Sequence, residues 1–174
     1  MNTKTKMLPL PFWIIWSLEV WERYGFYGIQ SVLMLFLIGK LNFTEAESYV
    51  LFGTFNAFLC AFIWLGGWIG DNILGAKRTI IVGVLFLIVS YASLSVADTN
   101  TIYCSLAGIV VGSALFKANP SSLISKLYKD NPEMLDCAIT LYYMSISVGC
   151  FIATISIPLL SQNYSWSIAL SHVH

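Results

Sequence analysis

Five apolar runs, at about Pro11 to Ile38, Tyr49 to Gly70, Thr79 to Ala97, Ile102 to Ala118 and Cys137 to Leu160, account for most of this 174-residue chain. Each is near the roughly 20 residues a helix needs to cross the ~30 Å hydrocarbon core of a bilayer. Backbone groups in hydrocarbon must find their hydrogen bonds inside the protein, so repeated runs of this length resolve into a set of spanning helices. Turn and capping residues separate them: Asn42-Phe-Thr44-Glu45-Ala-Glu47, Asp71-Asn-Ile-Leu-Gly75, Asp98-Thr-Asn100 and Asp130-Asn-Pro132-Glu. The reading is an all-α membrane protein with transmembrane helices over about 11–39, 48–70, 78–97, 101–120 and 137–160. No linker or domain boundary interrupts it. A sixth helix is expected to begin near Trp166.

Composition narrows the classes further. At 57% hydrophobic and 10% charged residues, the chain is too apolar for a soluble domain of this size. A formal net charge of zero with scattered bases gives no basic face for nucleic acid. Cys60, Cys104, Cys137 and Cys150 lack metal-ligand or redox spacing and read as ordinary buried thiols. No Ser/His/Asp set or phosphate loop appears, so the chain is not read as an enzyme. No cleavable signal peptide is read at Met1 to Leu10. Lys4, Lys6, Lys77, Arg78, Lys126 and Lys129 fall on alternate connections and Lys40 alone on the other side, so the N-terminus is expected to be cytoplasmic.

The remaining bases, Arg23 and Lys117, lie at membrane depth together with Glu19 and Glu22. A charge near the bilayer centre costs on the order of 2.5–3.5 kcal/mol even on insertion scales. Such groups must face protein or water. Glu19 and Arg23 are four apart and Glu19 and Glu22 three apart, so the heads cluster on one helix and the arginine is expected to neutralise one carboxylate at a time. One acid is then left to bind or release a proton. Glu19 lies roughly 12 Å into its helix, and Lys117, about 16 residues into a helix running the other way, reaches a similar depth. The two are expected to meet in a network of two acids and two bases, which can couple proton movement to re-pairing. The alternative is that the charges only lock the first helix to the fourth.

A second motif, Gly66-Gly67-Trp68-Ile69-Gly70-Asp71-Asn72-Ile73-Leu74-Gly75-Ala76-Lys77-Arg78, occupies the turn between the second and third helices. Its glycines allow close helix approach, and Asp71 is placed to meet a helix end or the cations after the turn. A turn carrying positive anchors is the competing reading. Asn119-Pro120 after Lys117 is expected to kink the fourth helix. Tyr142, Tyr143, Ser145 and Ser147 give the fifth a polar stripe.

Together these residues resemble the N-terminal part of a proton-dependent oligopeptide transporter, a branch of the major facilitator superfamily, most like the bacterial dipeptide and tripeptide permeases. The first motif is similar to the family's Glu-x-x-Glu-Arg-Phe-x-Tyr-Tyr-Gly, here Glu19 to Gly28 with Tyr24 and Phe26 substituted. Gly67 to Arg78 resembles the superfamily's Gly/Asp/Gly/Arg loop, with Asn72 where an arginine is common. Phe116-Lys117-Ala118-Asn119-Pro120 and Tyr142 to Ile146 are similar to the helix-four and helix-five signatures. The resemblance implies an incomplete N-terminal bundle over 1–174 in the bacterial inner membrane, symport of dipeptides and tripeptides with protons as the coupling ion, and no other cofactor. It implies proton coupling at Glu19, Glu22, Arg23 and Lys117, peptide contact at Tyr27, Gln30 and Ser147, and a gating loop of Gly67, Asp71, Gly75, Lys77 and Arg78. Gln30 stands where many relatives have an arginine. Ser147, Ser113 and Cys60 replace two asparagines and a tyrosine, changes expected to touch the peptide pocket and not the proton site. Transport by two bundles requires a second one, so this chain alone is expected to be inactive, a truncated fragment with His172 and His174 in a fortuitous tail. The competing reading is a non-transporting membrane remnant or regulatory subunit.

Overall fold

The computed structural model describes the backbone of residues 8–163 and the side chains of residues 8–159. Lys4, Lys6, Trp166, His172 and His174, on which the expected orientation, sixth helix and tail rest, lie outside the described residues. Six helices follow one another: α1 (Leu10–Gly39), α2 (Glu45–Asn72), α3 (Ala76–Ser95), α4 (Ile102–Lys117), α5 (Pro120–Leu127) and α6 (Pro132–Asn163).

Local chemistry sets the ends. Thr44 caps α2 in a reciprocal capping box: its side chain accepts from the Glu47 backbone N–H and its own N–H donates to Glu47 Oε2 at 2.9 Å. That box starts α2 three residues before the expected 48. Gly75 precedes α3 at φ 79° and ψ 143°, a region close to glycine-only. Nothing lies within 4 Å of a Cβ added there, so the conformation and not space requires glycine. We expect Gly75→Ala to cost ~1–3 kcal/mol of strain; a thermal melt of the variant in detergent checks this, and an unchanged melting temperature contradicts it.

The expected fourth helix is divided. α4 ends at Lys117 and α5 resumes with Pro120 in its first turn. Proline lacks the N–H that would continue the ladder. The buried Asn119 side chain fills the gap, its Nδ2 donating to Leu115 O at 2.7 Å and across to Gly66 O on α2 at 3.3 Å. The span therefore runs on to Leu127 instead of stopping at 120. The last helix starts at Pro132, five residues before the expected 137, since Pro132 and Glu133 form an ordinary helix start.

α1 packs on α6, and α4 packs on both α2 and α3. The principal core gathers Phe26, Leu33, Phe55, Leu87, Ile109 and Phe116; a second gathers Phe12, Ile15, Ile124 and Tyr142. Large apolar side chains also face outward, among them Trp64, Val89, Val96 and Phe151. A water-soluble bundle would bury such residues, whereas lipid accommodates them. Four described stretches have the length and composition to cross a membrane: Glu45–Asn72, Ala76–Ser95, Ile102–Leu127 and Pro132–Leu159. α1 has the length as well, with 30 residues, but carries Glu19, Glu22 and Arg23 in its middle.

Candidate functional site

The α1 charges are inside the protein. Glu19 and Glu22 are 0% exposed and Arg23 8%. The spacing alone suggests one carboxylate at a time; in this structure the guanidinium contacts both. Arg23 Nε donates to Glu19 Oε1 at 2.8 Å while Nη2 lies 3.0 Å from Glu22 Oε2. The first contact is an aligned hydrogen bond. The second is an ion pair without hydrogen-bond alignment, which leaves Glu22 Oε2 with charge contact only.

Two further elements complete the cluster. Tyr142 of α6 donates its hydroxyl to Glu19 Oε2 at 3.0 Å, and Ser113 of α4 donates to Glu22 Oε1 at 3.2 Å. α6 comes this close because Gly149 has no side chain: a Cβ there would sit 2.6 Å from Val20 O and 2.7 Å from Arg23 Cβ. Glu19 thus has both oxygens hydrogen-bonded, and Glu22 one. We expect Tyr142→Phe to cost ~1–3 kcal/mol by leaving a buried carboxylate oxygen unmet, read as a lower melting temperature that Glu19→Gln partly offsets. An unchanged melt would contradict the Tyr142–Glu19 bond.

Lys117 lies one helical turn beyond Ser113. It forms no ion pair with Glu19 or Glu22 among the described residues; its Nζ sits 3.4 Å from the Phe26 ring centroid. Phe26 is one of the two substituted positions in the α1 motif, and its phenyl face holds the ammonium. One of the departures expected to leave this region alone reaches it: Ser113 binds Glu22 directly.

The expected peptide-facing residues are less closely assembled. Tyr27 is half-buried, with its ring edge-on to Phe26 at 5.4 Å. Gln30 donates to Asn56 Oδ1 of α2 at 2.6 Å, and Asn56 in turn donates to Phe52 O at 2.9 Å. Asn56 carried no motif in the sequence; a lone amide in an apolar run was its one signal. Ser147 is exposed on α6 and bonds neither Tyr27 nor Gln30 among the described residues. At the α2–α3 turn, Asp71, Lys77 and Arg78 are all exposed, and Asp71 has no hydrogen bond or ion pair among the described residues, against the expectation of a clasp there. Gly75 belongs to the same turn, and Gly67 lies within α2, where an added Cβ would sit 3.2 Å from Ala118 Cβ. Among the described residues no group of three His, Cys, Asp or Glu could hold a metal ion.

Comparison with known proteins places this arrangement. The PTR2 family model, the POT family, matches residues 77–171, more than half of the chain. The chain belongs to the POT family. Its curated relatives include dipeptide and tripeptide permease A of Edwardsiella piscicida, 44% identical over 165 residues that cover 94% of this chain and 34% of the relative. Permease A of Escherichia coli (strain K12) is 42% identical, with 94% and 33% covered. The chain therefore spans about a third of the length of the curated POT relatives it matches. Among solved structures, a peptide transporter POT in complex with sulfate superposes with a TM-score of 0.91 at 24% identity, covering 95% of this chain and 35% of that one, and shows the fold. A bacterial homologue of the human drug peptide transporters PepT1 and PepT2 gives a TM-score of 0.83 at 31% identity, covering 93% and 38%. The chain is thus a multi-pass membrane protein of a transporter family, with the bundle seen in POT structures.

Proposed function

We propose that this chain forms the proton-handling bundle of a symporter that moves dipeptides and tripeptides across the bacterial inner membrane, with its N-terminus in the cytoplasm and inward proton flow as the drive. The observation that carries the reading is the buried group of Glu19, Glu22 and Arg23 on α1, hydrogen-bonded to α4 and α6, with Lys117 on the Phe26 ring and in no ion pair among the described residues. A proton on Glu22 removes half of the charge that Arg23 balances and frees the guanidinium to follow Glu19. Lys117, held on the Phe26 face, can take the place that Arg23 leaves. Such re-pairing is a binary change in helix contacts, which a rocking bundle needs. Glu22 is the carboxylate we assign to the proton, because its Oε2 accepts no hydrogen bond. Tyr27, Gln30 and Ser147 are assigned to the peptide, and Gln30 is the best prepared of them, since Asn56 fixes its amide. Alternating access takes two bundles, so uptake calls for a second bundle beside this one.

The test fuses this chain to the remaining two-thirds of a permease relative, the part beyond the matched residues, and follows uptake of a labelled dipeptide into cells. Uptake is expected to rise with an inward proton gradient, and Glu22→Gln to lower the gradient-driven part by ~10²-fold or more, the usual scale for a lost proton-transfer group. Uptake indifferent to the gradient rejects the reading. A stable chain that supports no uptake in any fusion favours a packing role for the charges instead.

A further inference from the structure

Gln30 of α1 and Asn56 of α2 form an amide pair about two helical turns beyond Arg23, and both side chains are half-buried. Asn56 Nδ2 donates to Phe52 O, one turn back on α2, at 2.9 Å. A backbone carbonyl only accepts, so it holds the amide nitrogen of Asn56 and turns the amide oxygen toward α1. That oxygen also only accepts, and Gln30 meets it with Nε2 at 2.6 Å. The direction of both amides therefore follows from one fixed carbonyl. Gln30 is left with the two acceptor positions of Oε1 and a single N–H. Among the described residues no donor reaches Oε1, and it is not one of the buried side-chain atoms without a partner, so it is accessible at the surface of these helices.

We infer that Asn56 is a positioning residue that sets the hydrogen-bonding polarity of the peptide site: it holds the Gln30 amide with its carbonyl oxygen toward the substrate, so that this position takes an N–H donor of the peptide and not its carboxylate. The inference rests on the reading of Gln30 as peptide-facing. A carboxylate placed there would set its oxygens against Oε1, acceptor against acceptor. Turning the Gln30 amide over to offer both N–H groups would instead set Oε1 against Asn56 Oδ1 and forfeit the bond between the helices, which a half-buried pair resists. Asn56 thus decides from α2 what α1 offers, without itself touching the peptide. Two groups of a peptide can supply the donor, its terminal ammonium and its peptide-bond N–H. An amide pair between membrane helices can also serve packing alone; packing alone is indifferent to the donors of a peptide.

The experiment has two arms. The first takes the full chain in detergent with nitrogen-15 in its glutamine side chains; Gln30 and Gln162 are the two glutamines, so Gln30→Ala assigns the signals. One Gln30 side-chain proton is expected to exchange with solvent more slowly than the other. Asn56→Leu should abolish that difference, and Asn56→Asp, which keeps an acceptor toward Gln30 whether ionised or not, should retain it. Equal exchange of the two protons, or a difference that survives Asn56→Leu, would overturn the pairing. The second arm measures uptake by the fusion described above with a dipeptide, its N-acetyl form, its form methylated on the peptide nitrogen, and its C-terminal amide. Losing one of the two donors is expected to raise KM about tenfold more in the unsubstituted protein than in Gln30→Ala, the scale of one hydrogen bond. The analogue that does so identifies the donor. Asn56→Leu should shrink that factor and Asn56→Asp keep it, with the change falling on KM more than on the maximal rate. Analogue penalties that are all independent of Gln30 would overturn the reading of Gln30 as peptide-facing, and the inference with it. A Gln30-dependent penalty for the C-terminal amide alone would keep that reading and overturn the polarity.

Discussion

Replacing Arg23 by leucine is expected to destabilise this bundle by ~3–5 kcal/mol, the usual result of removing one partner from a buried ion pair. The guanidinium is the positive charge in direct contact with two fully buried carboxylates, at 2.8 Å and 3.0 Å. Without it, Glu19 keeps Tyr142 and Glu22 keeps Ser113, but two negative charges face each other three residues apart on one helix. Thermal unfolding followed by tryptophan fluorescence should show a large drop for Arg23→Leu. Adding Glu19→Gln and Glu22→Gln to Arg23→Leu should recover most of it, since the unpaired charges are then gone. A triple variant as unstable as the single one would locate the role of Arg23 in packing, not charge.

The second large effect is steric and lies where α2 crosses α4. A Cβ added to Gly66 would sit 1.9 Å from Ala114 O, and one added to Gly70 would sit 1.8 Å from Asn119 Oδ1. The obstacle at Gly66 is backbone, which cannot turn aside as the end of a side chain can. Gly66→Val is therefore expected to cost at least the ~1–3 kcal/mol of an overpacked core and to separate the two helices. Gly53, on the same helix, has nothing within 4 Å of its added Cβ. Gly53→Ala should have the opposite sign, stabilising by up to ~1 kcal/mol through helix propensity. The pair of melts is diagnostic: equal shifts for both would mean that α2 does not approach α4 as closely as described.

What the sequence made legible follows physical range. Glu19 and Arg23 are one helical turn apart, so their pairing could be read from spacing, as could the break that Pro120 imposes on the fourth span. Partners separated by a long stretch of chain could not. Ser113 is 91 residues from Glu22 and Tyr142 is 123 from Glu19, and neither hydroxyl differs in the sequence from one that merely packs. The helix register that brings them onto the carboxylates is fixed by small residues such as Gly149, which sequence alone marks as permissive without naming the neighbour. Lys117 shows the limit of depth arguments. Matching depth along two helices predicted the same neighbourhood as the acids, but not that the direct contact of the ammonium would be the Phe26 ring. Asp71 differs: its turn could be recognised, but the residue order does not show that it forms no ion pair with the cations following it among the described residues.

The arrangement of hydrogen bonds around Arg23 has a mechanical meaning. Glu19 is fastened to α6 and Glu22 to α4, so the two acids are latches to different sides of α1. Asn119, just after α4, also bonds the Gly66 carbonyl of α2, where the two helices lie in close contact. α1 is also tied to α2 by the Gln30–Asn56 amide pair, so its polar side-chain contacts reach three neighbouring helices, and each acid anchors it to a different one.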